Sequence, residues 1–286
     1  MKYQSTLKWL ILIMGILALI AAGAGLFDQT PGEAYPYTNH RGEEVTIYGQ
    51  GLYYYDTLSS AAQMQGNDLI TLTVGLPLLV ISAFLAFRGS LRGKLLLTGT
   101  LGFFLYTYMS MATLASYNAF FLIYVAIFAL SFYAFILCMM SFDLETLPQA
   151  FSEKLPHGWI VALMFLVGTF LLMAWMGRIV PPLLDGSTPL LENTTTLVIQ
   201  FMDLGLIVPL AFLGGVLLMR RNAWGYLLSS VMLAKGITLG LGVSAMGINM
   251  ARMGVEDGLG MVPPFLVITV LNLVMVFLLL KNVKAE

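Results

Sequence analysis

The chain has 286 residues, 59% hydrophobic and only 10% charged, with a formal net charge of -1. Soluble domains carry about 25% charged residues, so this composition is that of an integral membrane protein, and the lack of a Lys/Arg excess excludes nucleic acid as a partner. The single cysteine, Cys138, excludes an intrachain disulfide framework and any paired-cysteine redox or zinc motif.

A hydrocarbon core of about 30 Å takes roughly 20 helical residues. Eight runs meet that length, at 7–27, 69–87, 95–116, 119–142, 159–176, 197–219, 226–250 and 262–280. The fold class expected is an all-α membrane protein of eight transmembrane helices. Before the first run stand Lys2 and Lys8, and it ends in AAGAG, as a signal peptide does. Its length exceeds the usual apolar region of about 7 to 15 residues, so it is read as a retained helix.

The segment 28–67 follows and is the only polar stretch long enough to fold by itself. In GEEVTIYGQGLYYYDT, turn glycines flank β-favouring residues, which predicts a short hairpin. Tyr53, Tyr54 and Tyr55 then meet the membrane, either as an interfacial aromatic belt or as a wall over a pocket suited to a cationic or hydroxylated molecule. The third and fourth runs are joined by almost no loop and are crowded with aromatics, which predicts a tight antiparallel hairpin. Tyr106 and Tyr108 there carry hydroxyls that need partners if buried. They belong either to an aromatic core or to a cavity for a flat or lipophilic ligand.

Lys and Arg fall on alternate loops. Lys2, Lys8, Arg88, Arg92, Lys94, Lys154, Arg220, Arg221, Lys281 and Lys284 share one side, expected to be cytoplasmic together with both termini. The other side carries Arg41, Arg178 and Arg252 among acids that include Asp56, Asp185, Glu192 and Asp257.

LPLLVISAFLAFRGSLRGKLLLTG, from Leu76, aligns without a gap on VPLAFLGGVLLMRRNAWGYLLSSV, from Val208. Pro77 falls on Pro209, Arg88 on Arg220 and Gly93 on Gly225. Asp68 matches Asp203 after a shift of about one helical turn. This pattern predicts two parallel four-helix halves: 1–142, which includes the outer loop, and 159–286, joined by a cytoplasmic linker at 143–158. The pseudo-axis would then lie along the membrane normal. Pro77 and Pro209 stand about eleven residues before the inner arginines, hence roughly 16 Å deep. They are candidate hinges or site-forming breaks, although bending alone also explains a proline in a membrane helix.

The landmarks GNDLITL, RGSLRG, QFMDLG and WGYLLSSVMLAKGITLG resemble a group of bacterial multi-pass membrane proteins without assigned activity. The resemblance implies a bacterial plasma-membrane location and gives no residue a role.

There is no P-loop, GxGxxG, GxSxG or HExxH motif. His40 and His157 are expected on opposite sides of the bilayer, so they cannot share a metal or haem. No catalytic residue, metal site or cofactor is expected. Two charges lie within the oily stretches. Lys235 is roughly 14 Å into the bilayer, where an unpaired Lys costs at least about 2.5 kcal/mol, so it is expected to face the protein interior. Asp203 lies nearer the outer surface. Asn272, near mid-depth, is the expected neutral neighbour of Lys235, with Asp203 reached through water or a bound substrate. A Lys that snorkels or bonds carbonyls freed near Pro209 is the alternative. The candidate substrate-binding set is Lys235, Asp203, Asn272, Asp68, Tyr106 and Tyr108. The leading expectation is a small-molecule transporter or permease. A non-catalytic membrane sensor or assembly component is the alternative, and an intramembrane lipid-modifying enzyme comes third. Oligomeric state is left open.

Overall fold

The computed structural model describes residues 1–256 and 258–284. Asp257, counted among the outer acids, lies outside them. Eight helices are long and apolar enough to cross a membrane: α1 (Gln4–Phe27), α2 (Leu58–Phe87), α3 (Leu91–Leu114), α4 (Phe121–Met139), α5 (His157–Asp185), α6 (Val198–Met219), α7 (Ala223–Arg252) and α8 (Gly258–Lys281). Each overlaps one of the runs expected from the sequence; α4 is shorter than its run at both ends, while α1, α2, α5, α7 and α8 extend beyond theirs. α2 starts eleven residues early because Thr57 caps its amino end, its side chain accepting from Ser60 N–H.

The expected hairpin is present. β1 (Tyr35–Thr38) pairs antiparallel with β2 (Glu44–Ile47), in the register Tyr35 opposite Ile47 and Thr38 opposite Glu44. It is tied to the segment between α5 and α6. Arg41 donates to the carbonyls of Glu192 and Thr194, Asn39 Nδ2 donates to the Glu192 carbonyl, and the Thr57 hydroxyl bonds the Glu192 carboxylate. The end of the bundle that carries this cap is called here the hairpin end.

The opposite, basic end is closed by contacts remote in sequence. Phe151 bridges Val283, Ser152 N–H reaches the Asn282 carbonyl, and Arg92 donates to the Val283 carbonyl at 2.7 Å. Gln4 Nε2 donates to the Phe87 carbonyl. Both described termini therefore lie at the basic end.

α3 and α7 are the most enclosed helices, with 67% and 56% of their central windows buried against 28–44% elsewhere, so they form the middle of the bundle. Small residues permit their approach. A Cβ on Gly99 would meet the Ala234 Cβ and lie 3.1 Å from the Val231 carbonyl, and Gly102 faces Val231 at 3.8 Å. α2 approaches α7 as closely, since a Cβ on Gly66 would lie 2.7 Å from the Met246 Cα.

α2 and α6 each contain one widened turn, Thr71–Gly75 and Asp203–Ile207, in which backbone bonds run from residue i to i+5. A proline follows each at its second residue, Pro77 and Pro209. Proline has no N–H to donate and its ring clashes with the carbonyl four residues back. The wider turn absorbs that clash, because Leu76 N–H bonds the Thr71 carbonyl and Val208 N–H the Asp203 carbonyl. The helix continues through both breaks.

Candidate functional site

The widened turn of α6 places Asp203 on the inner face, where it is 4% exposed. Three further helices bring side chains to it. Tyr106 of α3 donates its hydroxyl to Asp203 Oδ1 at 2.7 Å, and Trp175 of α5 donates Nε1 to Oδ2 at 2.9 Å. Lys235 of α7 holds its ammonium 3.9 Å from the centroid of the Tyr106 ring. One aromatic ring thus carries a cation on its face and a carboxylate on its hydroxyl. Each arrangement is favourable by itself, as a cation–π contact and a charge-assisted hydrogen bond.

Lys235 is 5% exposed, and its Nζ has no hydrogen-bond partner among the described residues. It does not face lipid. Its side chain is among those that line a cavity of about 390 Å³. The lining runs from Phe103 and Lys235 at mid-depth, past Tyr106, Trp175 and Asp203, to half-exposed Ser60, Leu114 and Met261 near the hairpin end. Most of it is apolar and aromatic, with Asn67, Gln63, Thr107, Ser110 and Thr238 as the scattered neutral polar groups. Small-molecule sites have this character, an apolar wall with few polar anchors, at volumes of roughly 300 to 1,000 Å³.

Beside Lys235 lies a second void of about 30 Å³ between α5, α6, α7 and α8. Leu171, Lys235, Leu239 and Phe265 line both spaces, so Lys235 borders each of them.

The six residues singled out from the sequence are distributed as follows. Lys235, Asp203 and Tyr106 meet at the cavity. Asn272 borders only the smaller void, where its side-chain amide donates to the Ile268 carbonyl at 2.8 Å and fills the space over Gly236. Asp68 sits apart, in a cluster between α1 and α2, where it accepts from the Tyr53 hydroxyl at 2.5 Å. A Cβ on Gly25 would collide with that pair. Tyr108 also packs in this cluster. It lies parallel to Phe104 at 6.4 Å, with its hydroxyl 3.5 Å from the Ala18 carbonyl. Of the three successive tyrosines, Tyr53 is buried on Asp68, while Tyr54 and Tyr55 are exposed and meet edge to face.

Sequence reasoning missed Trp175. Its signal was faint, a lone Trp among apolar residues, and only the packing of α5 on α6 brings its indole N–H to a carboxylate. His40 and His157 lie at opposite ends, and His157 Nε2 is 2.9 Å from the Tyr226 hydroxyl. No protein-family model, curated protein or solved structure matches this chain.

Proposed function

We propose that the protein is a small-molecule transporter or permease of the bacterial plasma membrane, with both termini cytoplasmic. In this reading it is built from two parallel four-helix halves that hold one substrate site between them. The observation that carries the reading is the buried Lys235, whose ammonium has no hydrogen-bond partner among the described residues and which borders both a large cavity and a smaller void. A buried cation without a partner is costly, and a passage that receives a ligand is a physical reason to retain it. The excess of Lys and Arg at the basic end supports its cytoplasmic placement.

Duplication is supported at one constant offset along the chain. The widened turns at 71–75 and 203–207, the prolines at 77 and 209 and the amino-terminal caps Ser90 and Asn222 all correspond. So do the positive-φ turn residues Gly89 and Arg221. The α3–α7 crossing obeys the same relation. Under that offset Val231 is the counterpart of Gly99, and Ala234 of Gly102. Gly99 faces both, and Gly102 faces Val231. A self-complementary contact of this kind is what a two-fold axis between parallel helices generates. Phe103, Phe104 and Tyr108 then correspond to Lys235, Gly236 and Gly240. The first half fills with aromatics the volume that the second leaves to its voids and to Asn272.

The test needs no ligand. In a Cys138→Ala background, Lys235→Cys should react with a small membrane-impermeant thiol reagent added at the hairpin side and, in separate vesicles, at the basic side. Alternating access requires both. Labelling from one side only would favour a static sensor or assembly component and overturn the transport reading.

A further inference from the structure

The charges at the cavity are not equivalent, and their difference selects a ligand. Asp203 already holds a donor on each carboxylate oxygen, Tyr106 on one and Trp175 on the other. Lys235 holds none, and its only close partner is the face of an aromatic ring, which leaves the N–H groups unbonded. No oxygen of Asp203 lies within ion-pair distance of Lys235, since the one such pair among the described residues joins Arg41 and Glu43. The cavity is therefore bordered by a cation with no hydrogen-bond partner and by a carboxylate that already holds two donors.

Among the described residues, Asp203 and Lys235 are also the only Asp, Glu, Lys, Arg or His side chains that line it. The remaining wall suits hydrocarbon, with Phe103, Phe170, Phe265, Met64, Met111 and Met246 around the space. Methionine side chains adapt to varied apolar shapes.

Resting on the reading of this cavity as the substrate site, we propose that its ligand is a lipophilic organic acid. Its carboxylate or equivalent oxyanion binds Lys235 Nζ at mid-depth, and its apolar body extends toward the hairpin end among Phe103, Phe170 and Met246. A carboxylate supplies acceptors for the ammonium donors and forms charge-assisted bonds, roughly twice as strong as neutral ones. A ligand cation would instead meet the Lys235 charge and compete with the two donors that Asp203 already holds. The acid can come from water or from the bilayer, because the chemistry at Lys235 is the same.

Three probes of one shape and different head groups test this: cyclohexanebutanoate, cyclohexanebutanol and cyclohexanebutylammonium. Each is titrated calorimetrically into the full chain in lipid nanodiscs at neutral pH. The acid should bind at one site per chain at least about tenfold more tightly than the alcohol or the amine, a difference of about 1.4 kcal/mol. That preference should vanish in Lys235→Met and persist in Trp9→Phe, a change on the exposed face of α1. Lys235→Met removes an unpartnered buried charge and leaves Asp203 its two donors, so it should fold, which its thermal midpoint in the same discs verifies.

Equal binding of the three probes, preference for the amine, binding of none, or undiminished acid binding by Lys235→Met would each overturn the proposal. Uptake of the acid by proteoliposomes is measured separately. Tight, Lys235-dependent binding without uptake would leave the ligand class standing and remove the transport reading.

Discussion

Lys235 and Tyr106 form the central relationship of the molecule. The ammonium lies 3.9 Å from the ring centroid, and the hydroxyl of that ring is bonded to Asp203, so the two opposite charges are linked through one side chain without touching. The lysine is thereby compensated at a distance while its donors stay free. A direct ion pair would compensate it better and leave nothing for a ligand.

Coupling between these residues should be visible in stability. Asp203→Asn leaves Lys235 buried without its nearest counter-charge and weakens the charged acceptor of Tyr106 and Trp175, so it should cost about 1 to 3 kcal/mol. Lys235→Met on that background should recover much of the loss, so the double variant should be more stable than the Asn variant alone. Thermal midpoints of the four proteins in one detergent give the cycle. Strictly additive effects would show that the two charges do not interact.

The hydroxyl of Tyr106 should matter less than the carboxylate. Tyr106→Phe keeps the ring beneath Lys235 and removes one donor from Asp203, an effect of about 1 to 3 kcal/mol for a buried charged acceptor left short of a partner. Trp175→Phe should cost a similar amount, by the same measurement. No effect from either change would mean that water replaces both donors.

Asp56 gives a pH dependence. It lies just before α2, where burial raises its carboxyl from the usual 3.8 to about 7, although Ser116 N–H donates to one oxygen at 2.8 Å. The folded-state value lies above the unfolded one, so the folded protein binds the extra proton. The stability this protonation contributes is present at acid pH and is lost as pH rises from about 4 to about 7. Asp56→Asn keeps the Ser116 contact and removes the titration. Its thermal midpoint should change less between pH 5 and pH 8 than that of the parent, and identical profiles would rule out Asp56 as the cause.

At the α3–α7 crossing, Gly99→Ala places a methyl against the Ala234 Cβ and should cost about 1 to 3 kcal/mol by overpacking. Ala234→Gly on the same chain should relieve part of that cost, which thermal midpoints will show. Failure to relieve it would mean that the helices separate rather than clash.

Membrane sidedness is checked by labelling of single cysteines placed in a Cys138→Ala background. Glu153→Cys should react only from the cytoplasmic side, and Tyr117→Cys and Thr195→Cys only from the other. All three positions are exposed, at the basic and hairpin ends respectively. Labelling of Glu153→Cys and Thr195→Cys from the same side would refute the single crossing, α5, between them.

Much of the architecture was legible along the chain because it depends on local quantities. Length and apolar content alone mark the eight helices, since a bilayer imposes one span length on every crossing. The matched Pro77 and Pro209 marked where two helices would depart from regular turns, because a proline lacks the N–H that a regular turn needs. The depth of Lys235 showed that it had to turn inward. What the sequence could not determine was partnership. Asp68 and Asp203 look alike in the chain, each a lone acid ahead of an apolar run. Yet the fold gives Asp68 to Tyr53 and packs it shut, and gives Asp203 to Tyr106 and Trp175 beside open space. Asn272, close to Lys235 in depth, is turned onto Gly236 instead. Periodicity fixes the depth of a side chain and its helical face, whereas the neighbour across the gap depends on which helices cross and where small residues let them close. Only the tertiary structure decides that.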